Sequence, residues 1–359
     1  MNDRESHMTI GETLDAHGIS RRRFLKFCMI NASLLALPPT FGRAMAEQLR
    51  QTPRPSVVYM SFQECTGCLE SLTRSFSPSV ENLLFDVISL DYDDTLMAAA
   101  GHQAEAARER AVKDNWGKYL VIVDGSVPTA DGGVYCTAAG KTARQILEET
   151  VEGAAAVVAV GTCASFGGLP YAAPNPTGTV PISEIVKGKP VINVPGCPPI
   201  AEVITGTLVH YLTLGTVPDL DAHGRPMAFY GNTIHDRCYR RPFYDQGKFA
   251  KTFDDEGARN GWCLYELGCK GPVSYNACAT VKWNNGTSFP IESGHGCLGC
   301  SEPNFWDKGG FYKPVPQNTY TSTQKIAAAA AAGVVLGGGS AVVARMRKRK
   351  KLRETEEQS

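Results

Sequence analysis

The sequence predicts an α/β fold, in which a doubly wound parallel sheet is followed by a C-terminal region of irregular structure. Apolar runs rich in β-branched residues alternate with helix-like stretches, and the composition changes after about residue 220. Strands that alternate with helices form parallel sheets with helices on both faces. The runs are Ser56–Ser61, Tyr119–Val123, Ala155–Val160 and Pro190–Val194, and the helix-like stretches include Ala104–Lys113 and Lys141–Val151.

The segment from Asp221 to Gln317 is rich in Asn, Gly and Pro and has few periodic apolar runs. Burial of apolar side chains alone would hardly fold such a segment. Metal binding is coupled to folding, so bound metal clusters can supply the missing stabilisation. We therefore expect this segment to depend on metal.

The cysteines fall into short groups with the spacing of metal ligands. The chain has 12 cysteines, and ten of them belong to these groups together with one histidine. Thiols grouped in this way indicate electron transfer rather than disulfide bonding. The groups are Cys65, Cys68, Cys163 and Cys197; His235, Cys238, Cys263 and Cys269; and Cys278, Cys297 and Cys300.

The first group follows the ends of three predicted strands. Ligands of doubly wound sheets bind beyond the carboxyl ends of the strands, so three such loops can bring four thiols together. The pair Cys65 and Cys68 alone would also fit a redox disulfide or half of a zinc site. With two further cysteines, the group suits a [4Fe–4S] cluster or zinc.

The other two groups lie in the irregular segment. A lone histidine is usually structural, but His235 precedes Cys238 by three residues and is followed by two more cysteines, which predicts a ligand. The last group has three thiols, and Pro290 between them cannot ligate, so it suits a [3Fe–4S] cluster. Cys136 is predicted to be a buried apolar residue.

The N-terminus has the features of a twin-arginine signal peptide. Ser20 to Lys26 reads SRRRFLK, an apolar run extends to Leu37, and residues 44–46 read Ala-Met-Ala, the form of a cleavage site. A leader over residues 1–46 would take Cys28 with it when removed. The alternative is an ordinary amphipathic helix. Because this export route carries folded proteins, exported cysteines here need not form disulfides.

The C-terminus has the features of a membrane anchor. Ile326 to Ala344 is free of charge and is followed by a basic cluster, which predicts a transmembrane helix over residues 325–345 and a basic cytoplasmic tail over 346–359. The alternative is a flexible tail. Residues 47–324 contain 22 basic and 29 acidic residues, a net charge of −7, so we expect no nucleic-acid partner.

The ordered motifs of the chain resemble those of a known family. From Pro55 to Tyr312 the chain is similar to the small subunit of membrane-bound, respiratory (group 1) uptake [NiFe]-hydrogenases. The motifs are ECTGC, GTCASFGG, PGCPP, HDRCYRRP, GWCLYELGCKGP, NAC and HGCLGCSE.

The resemblance implies a flavodoxin-like domain over residues 47–220 and a C-terminal domain over 221–318, with two [4Fe–4S] clusters and one [3Fe–4S] cluster. It also implies a name for each ligand group. Cys65, Cys68, Cys163 and Cys197 are the proximal set; His235, Cys238, Cys263 and Cys269 are the distal set; Cys278, Cys297 and Cys300 are the medial set.

The resemblance further implies partners and a place in the cell. The nickel–iron centre belongs to a separate large subunit, so no catalytic residue is expected in this chain. Electrons from H₂ pass to a membrane cytochrome b and then to quinone, on the periplasmic face of the cytoplasmic membrane, after export by the twin-arginine translocase. Glu64 is a candidate proton relay; the alternative is a carboxylate bonded to backbone.

Oxygen-tolerant relatives carry two extra cysteines around the proximal cluster. The matching positions here are Gly67 and Gly168, so we expect an oxygen-sensitive enzyme. Two other functions stay open at this point. The chain could be a subunit of an H₂-sensing regulatory hydrogenase, although such sensors need neither leader nor anchor, or it could be a zinc-stabilised structural protein.

Overall fold

A computed structural model describes residues 8–35, 37–76, 79–308 and 311–315. The predicted anchor over 325–345 and the basic tail over 346–359 lie outside these residues. Within the described ranges, none of the helices is both long enough and apolar enough to cross a membrane.

The described chain alternates strands and helices up to residue 214, and beyond it contains short helical turns. The strands are β1 (Ser56–Ser61), β2 (Ser89–Asp93), β3 (Leu120–Asp124), β4 (Val127–Pro128), β5 (Thr137–Ala138), β6 (Lys141–Thr142), β7 (Ala156–Val160), β8 (Thr179–Val180) and β9 (Val191–Val194). The α-helices up to residue 214 are α1 (Ile10–Ala16), α2 (Arg21–Leu34), α3 (Pro39–Gln51), α4 (Gly67–Thr73), α5 (Val80–Asn82), α6 (His102–Asp114), α7 (Ala143–Val151), α8 (Gly161–Phe166), α9 (Gly168–Tyr171), α10 (Ile182–Ile185) and α11 (Ala201–Leu214).

Five parallel strands form the main sheet in the order β2-β1-β3-β7-β9. Numbered among themselves, these strands follow the order 2-1-3-4-5 that is typical of one class of doubly wound sheet. The four predicted apolar runs became β1, β3, β7 and β9. The parallel α/β fold is therefore confirmed.

Strand β2 was missed by the sequence analysis. Its sequence, Ser-Leu-Asp-Tyr-Asp, is polar, and its first three residues are only half-buried because it lies at the edge of the sheet and pairs with β1 alone. By contrast, every residue of β3 and β7 is buried. Central strands that are covered on both faces show continuous apolar runs, which is why they were recognised.

Two apolar cores cover the two faces of the sheet. One contains α6 and α7 residues such as Ala111 and Leu147. The other contains α11 residues, and it extends into the irregular C-terminal segment through Phe229 and Ile291. Cys278 and Cys297 of the medial set belong to this second core, so the irregular segment is packed onto one face of the sheet.

Residues 8–51 form three helices that pack on the same face as α11. Ser20 caps α2 by accepting a hydrogen bond from the Arg23 amide at 3.3 Å. Phe24 and Cys28 of α2 are buried. The predicted leader thus contains a well-capped helix whose apolar side faces the body.

The segment after residue 214 contains short helical turns joined by loops, as expected from its composition. No strand longer than an isolated bridge occurs among its described residues. The α-helices are α12 (Met227–Tyr230), α13 (Arg241–Asp245) and α14 (Glu256–Arg259), and 3₁₀ turns lie at His235–Arg237, Tyr265–Leu267, Gly271–Val273 and Ala277–Ala279.

Candidate metal-cluster sites

The carboxyl ends of four adjacent strands are aligned. In the sheet register Ser61 pairs with Asp124, Asp124 with Val160, and Val160 with Val194. The loops that follow β1, β7 and β9 therefore leave the sheet along one edge. These are the three loops that carry the proximal set, so the fold delivers its cysteines where the sequence predicted.

The four proximal cysteines interact with one another. Burial raises the pKa of Cys68 well above its usual value, and Asp124, Cys163 and Cys197 raise it further. Burial also raises the pKa of Cys197 to about 12, with contributions from the neighbouring Cys163 and Cys65. Cys68 is buried, whereas Cys65 and Cys197 are exposed. The set thus lies at the surface of this chain.

Two glycines let the backbone approach the proximal thiols. Gly161 has a φ of +84°, and a Cβ there would lie 2.4 Å from the Sγ of Cys68. Gly168 has a φ of +56°, and a Cβ there would lie 2.5 Å from the Sγ of Cys163. Both positions combine a left-handed backbone with a close contact to sulfur, so a side chain would displace a thiol.

Asp124 is a site residue that the sequence analysis missed. Its side chain hydrogen-bonds the Cys68 thiol and accepts a bond from the Tyr59 hydroxyl at 3.4 Å. Burial raises the pKa of Asp124 to about 7. An acidic residue directly after a buried apolar strand was the available signal, because it lies at the same edge as the thiol loops.

Glu64 lies beside Cys65, with one carboxylate oxygen buried. Its Oε1 accepts a hydrogen bond from the Thr66 hydroxyl at 3.3 Å, and its buried Oε2 has no hydrogen-bond partner among the described residues. Burial raises the pKa of this carboxyl. The role of Glu64 as a proton relay stays a prediction.

The distal set lines one small cavity. His235, Cys238, Cys263 and Cys269 all border it, together with Gly271 and Ile291. Backbone N–H groups point at the sulfurs: those of Arg240 and Arg241 bond Cys238, that of Tyr265 bonds Cys263, and that of Gly271 bonds Cys269. The four residues predicted from sequence are therefore brought together.

His235 is suited to act as a neutral ligand. Burial, and then the charge of Arg241, lower the pKa of its imidazole. Its ring packs edge-on against Tyr244, with 4.8 Å between ring centroids. A neutral, oriented imidazole is the form that binds metal.

Two of the three medial cysteines, Cys278 and Cys297, belong to the apolar core, and Cys300 is partly buried. Cys278 and Cys297 are both buried, and burial raises the pKa of Cys278 to about 12. Burial also raises the pKa of Cys297, with further increases from Cys269, Cys300 and Cys278. The Gly299 amide donates to the Cys297 sulfur at 3.3 Å.

Hydrogen bonds connect the three sets in series. Burial raises the pKa of Cys300 (medial), and the nearby backbone amide of Cys197 (proximal) lowers it. The amide of Cys297 (medial) donates to the sulfur of Cys269 (distal) at 3.3 Å. Thr162, next to Cys163, donates its hydroxyl to the Cys300 carbonyl. Backbone thus links proximal to medial and medial to distal.

The donor sets fit iron–sulfur clusters. Metal-bound sulfur is a thiolate, and N–H donors stabilise its charge and tune the cluster potential. Backbone N–H donors of this kind contact several of the buried thiols. Burial raises the pKa of each of these thiols, so bound, positively charged iron would be needed to keep them ionised. Across the described ranges, no three His, Cys, Asp or Glu side chains are grouped so as to hold a single metal ion.

Family models match both parts of the chain. Residues 230–313 match the C-terminal region of the NiFe/NiFeSe hydrogenase small subunit, and residues 65–211 match the 20 kDa subunit of NADH ubiquinone oxidoreductase. The uptake hydrogenase small subunit of Azotobacter vinelandii is 51% identical over 312 residues, which cover 86% of this chain and 87% of that protein. The chain belongs to the nickel–iron hydrogenase small subunits.

Further relatives of this small subunit agree. The Hydrogenase-1 small chain of Escherichia coli K12 is 45% identical over 327 residues, covering 91% of this chain and 87% of that one. The reduced, active Ni-Fe-Se hydrogenase of Desulfomicrobium baculatum contains a chain that is 36% identical, with a TM-score of 0.68, covering 73% of this chain and all of that one. The protein is therefore an electron-transferring subunit of a hydrogenase.

Proposed function

We propose that this small subunit conducts electrons from H₂ through three iron–sulfur clusters in a membrane-bound, periplasm-facing [NiFe]-hydrogenase. The observation that carries the proposal is the series of hydrogen bonds that joins the proximal, medial and distal sets. The Thr162 hydroxyl bonds the Cys300 carbonyl between the proximal and medial sets, and the Cys297 amide bonds the Cys269 sulfur between the medial and distal sets. Electron transfer needs such short separations between centres.

The ligands follow from the donor sets. Four thiols of the proximal set would hold one [4Fe–4S] cluster, the medial three a [3Fe–4S] cluster, and the distal set the second [4Fe–4S] cluster. Replacing a thiolate by neutral imidazole makes a cluster less negative and raises its potential. His235 therefore suits the last centre of the series, where electrons leave.

A large subunit that carries the nickel–iron centre is the proposed partner at the proximal set. Cys65 and Cys197 are exposed in this chain, and Leu169, whose amide bonds the Cys163 sulfur, is 55% exposed. A large subunit bound here would cover Leu169 and the exposed cysteines. It would also bring its nickel–iron centre next to the proximal cluster.

We further propose export by the twin-arginine translocase, removal of residues 1–46, and anchoring by residues 325–345 beside a membrane cytochrome b. The sequence motifs at both ends support this. Truncation before Lys325 should leave dye-linked H₂ oxidation intact and weaken quinone reduction. Unchanged quinone reduction in membranes would refute the role of the anchor.

The cluster assignment is tested by iron and sulfide analysis, with EPR of the oxidised and H₂-reduced enzyme purified without oxygen. We expect about 11 irons in this subunit and a three-iron signal in the oxidised state. Zinc without sulfide would instead support the zinc-stabilised structural protein. An H₂-sensing subunit would show the same clusters, but deleting its gene would change hydrogenase expression rather than H₂-dependent respiration.

A further inference from the structure

A buried charged cluster lies beside the medial set and has no place in the ligand assignment. Arg225 is 2% exposed. Its Nε bonds Asp221 Oδ2 at 2.7 Å, and its Nη1 bonds Glu302 Oε1 at 2.9 Å. Two carboxylates contact one guanidinium, and the side chains of Asp221 and Glu302 are 16% and 14% exposed against 2% for Arg225.

The cluster is attached directly to the medial loop. Arg225 Nη1 also donates to the carbonyl of Ser301 at 3.3 Å, and Ser301 follows the medial ligand Cys300. Glu302 is two residues beyond Cys300, and its Oε1 accepts the amide of Tyr275 at 2.6 Å. The charges of Arg225 and Glu302 are therefore fixed next to a predicted ligand of the medial cluster.

Tyr230 contacts Arg225 and lies near the medial thiols. The guanidinium carbon of Arg225 lies 5.6 Å from the centroid of its ring. Its hydroxyl donates to the Pro195 carbonyl at 2.8 Å, in the loop of proximal Cys197, and interacts electrostatically with both Cys278 and Cys300. The Arg225 guanidinium thus packs on a buried aromatic ring that also lies near the medial thiols, where screening by salt is weak.

We propose that Arg225 and Glu302 act as an opposed pair of fixed charges that sets the reduction potential of the medial cluster. A nearby positive charge stabilises the added electron and raises the potential, and a nearby negative charge lowers it. The inference rests on the proposed medial cluster. Both are positioning residues, because neither is a ligand.

A merely structural ion pair makes a different prediction. If the pair only anchors the Cys300 loop, removing either partner loosens the same contact, and both variants disturb the cluster in the same way. If the charges set the potential, neutralising Arg225 and neutralising Glu302 move it in opposite directions.

The test is a redox titration of the three-iron EPR signal in the complete purified enzyme. Arg225→Gln should lower the midpoint potential and Glu302→Gln should raise it, each enough to change the reduced-to-oxidised ratio at fixed potential about tenfold, or 59 mV for one electron. Arg225→Lys keeps the positive charge and should stay near the unmodified value.

Glu105→Gln is a matched control. Glu105 Oε2 bonds the buried Arg108 at 2.8 Å, and its side chain is 19% exposed against 14% for Glu302. Glu105 belongs to α6, whose residues Ala104 and Ala111 pack into the core on the other face of the sheet. The midpoint potential of the medial cluster should therefore not change in Glu105→Gln.

The inference would be overturned if the midpoint potential shifted in the same direction in Arg225→Gln and Glu302→Gln. It would also be overturned if Glu302→Gln showed no shift relative to Glu105→Gln. If Arg225→Gln does not yield folded enzyme, the direction of the Glu302→Gln shift decides: a rise in midpoint potential relative to Glu105→Gln supports the inference, and a fall or no shift overturns it. Absence of any three-iron signal in the unmodified active enzyme would instead refute the medial assignment itself.

Discussion

The parallel sheet and the irregular segment after residue 214 hold together in different ways. In β3 and β7 every side chain is buried, and both faces are covered by helices. The irregular segment has short helical turns, and four of its buried side chains are cysteines, several of whose sulfurs accept backbone N–H bonds. One region is stabilised by apolar burial, and we expect the other to need metal bound by its sulfurs.

This difference between the two regions predicts where the effects of metal removal should appear. An amide that donates to a thiolate keeps its partner only while the sulfur is ionised and fixed in place. In the sheet, amides donate to carbonyls of neighbouring strands and need no cofactor. Loss of iron should therefore act on the two regions unequally.

Removal of iron should have the largest effect. We expect amides of residues 235–300 to lose at least about a hundredfold in hydrogen-exchange protection, and those of β3 and β7 much less, because metal ligation carries the local stability. Exchange mass spectrometry of iron-loaded and iron-depleted enzyme measures this. Equal loss in both regions would show that they fold as one cooperative unit.

Ile122→Ala should destabilise the sheet and leave the cluster-binding segment largely unaffected. Ile122 is 1% exposed at the centre of β3, so its truncation should cost about 2–5 kcal/mol of unfolding free energy through lost burial and a cavity. The cluster EPR signals should persist in the folded fraction. Ile122→Val should cost about 1 kcal/mol. Loss of the iron without a decrease in the free energy of unfolding would contradict this assignment of roles.

Gly168→Ala should damage the proximal site more than Gly67→Ala. A left-handed backbone costs a side chain about 1–2 kcal/mol, and the new Cβ of residue 168 would also lie 2.5 Å from the Cys163 sulfur. At Gly67 the nearest atom is the Cys65 sulfur, at 3.1 Å, and φ lies in the ordinary range. Proximal-cluster EPR measures the difference.

Gly67 and Gly168 also predict how the enzyme responds to oxygen. With glycine at both positions, we expect H₂ oxidation to stop in air and to recover after reductive reactivation. Sustained turnover in air would refute this prediction. It would also show that tolerance does not need the two additional cysteines.

Thr142→Ala should have the smallest effect and should stay within the sheet region. Thr142 caps α7 in a reciprocal pair with Gln145, whose side chain accepts the Thr142 amide at 2.9 Å. Loss of this cap costs about 1 kcal/mol. Thermal unfolding should show a small decrease for Thr142→Ala and almost none for Thr142→Ser, with iron content unchanged in both.

The strongest sequence-based predictions were those with a simple local cause. Continuous apolar runs located β1, β3, β7 and β9, because strands covered on both faces must be apolar throughout. The ligand groups were found from cysteine spacing, and the structure brings each group together. Strand β2 was missed because an edge strand keeps polar residues.

Other site residues had no local signal. Arg225 and Glu302 are 77 positions apart, and Tyr230 bonds Pro195 across 35 positions. A buried arginine looks in sequence like any exposed one. Asp124 had a weak signal, its place at the end of a strand, but its contact with Cys68 depends on a turn formed by another loop.

The sequence by itself determined the fold class, the family and the groups of potential ligands, because hydrophobic period and thiol spacing are properties of short segments. Tertiary structure alone decided the order of contact among the three sets, the exposure of Cys65 and Cys197 and the burial of Arg225 beside the medial loop. The physical reason is that electrostatics and electron transfer depend on distance in space. Folding sets those distances between segments that are far apart along the chain.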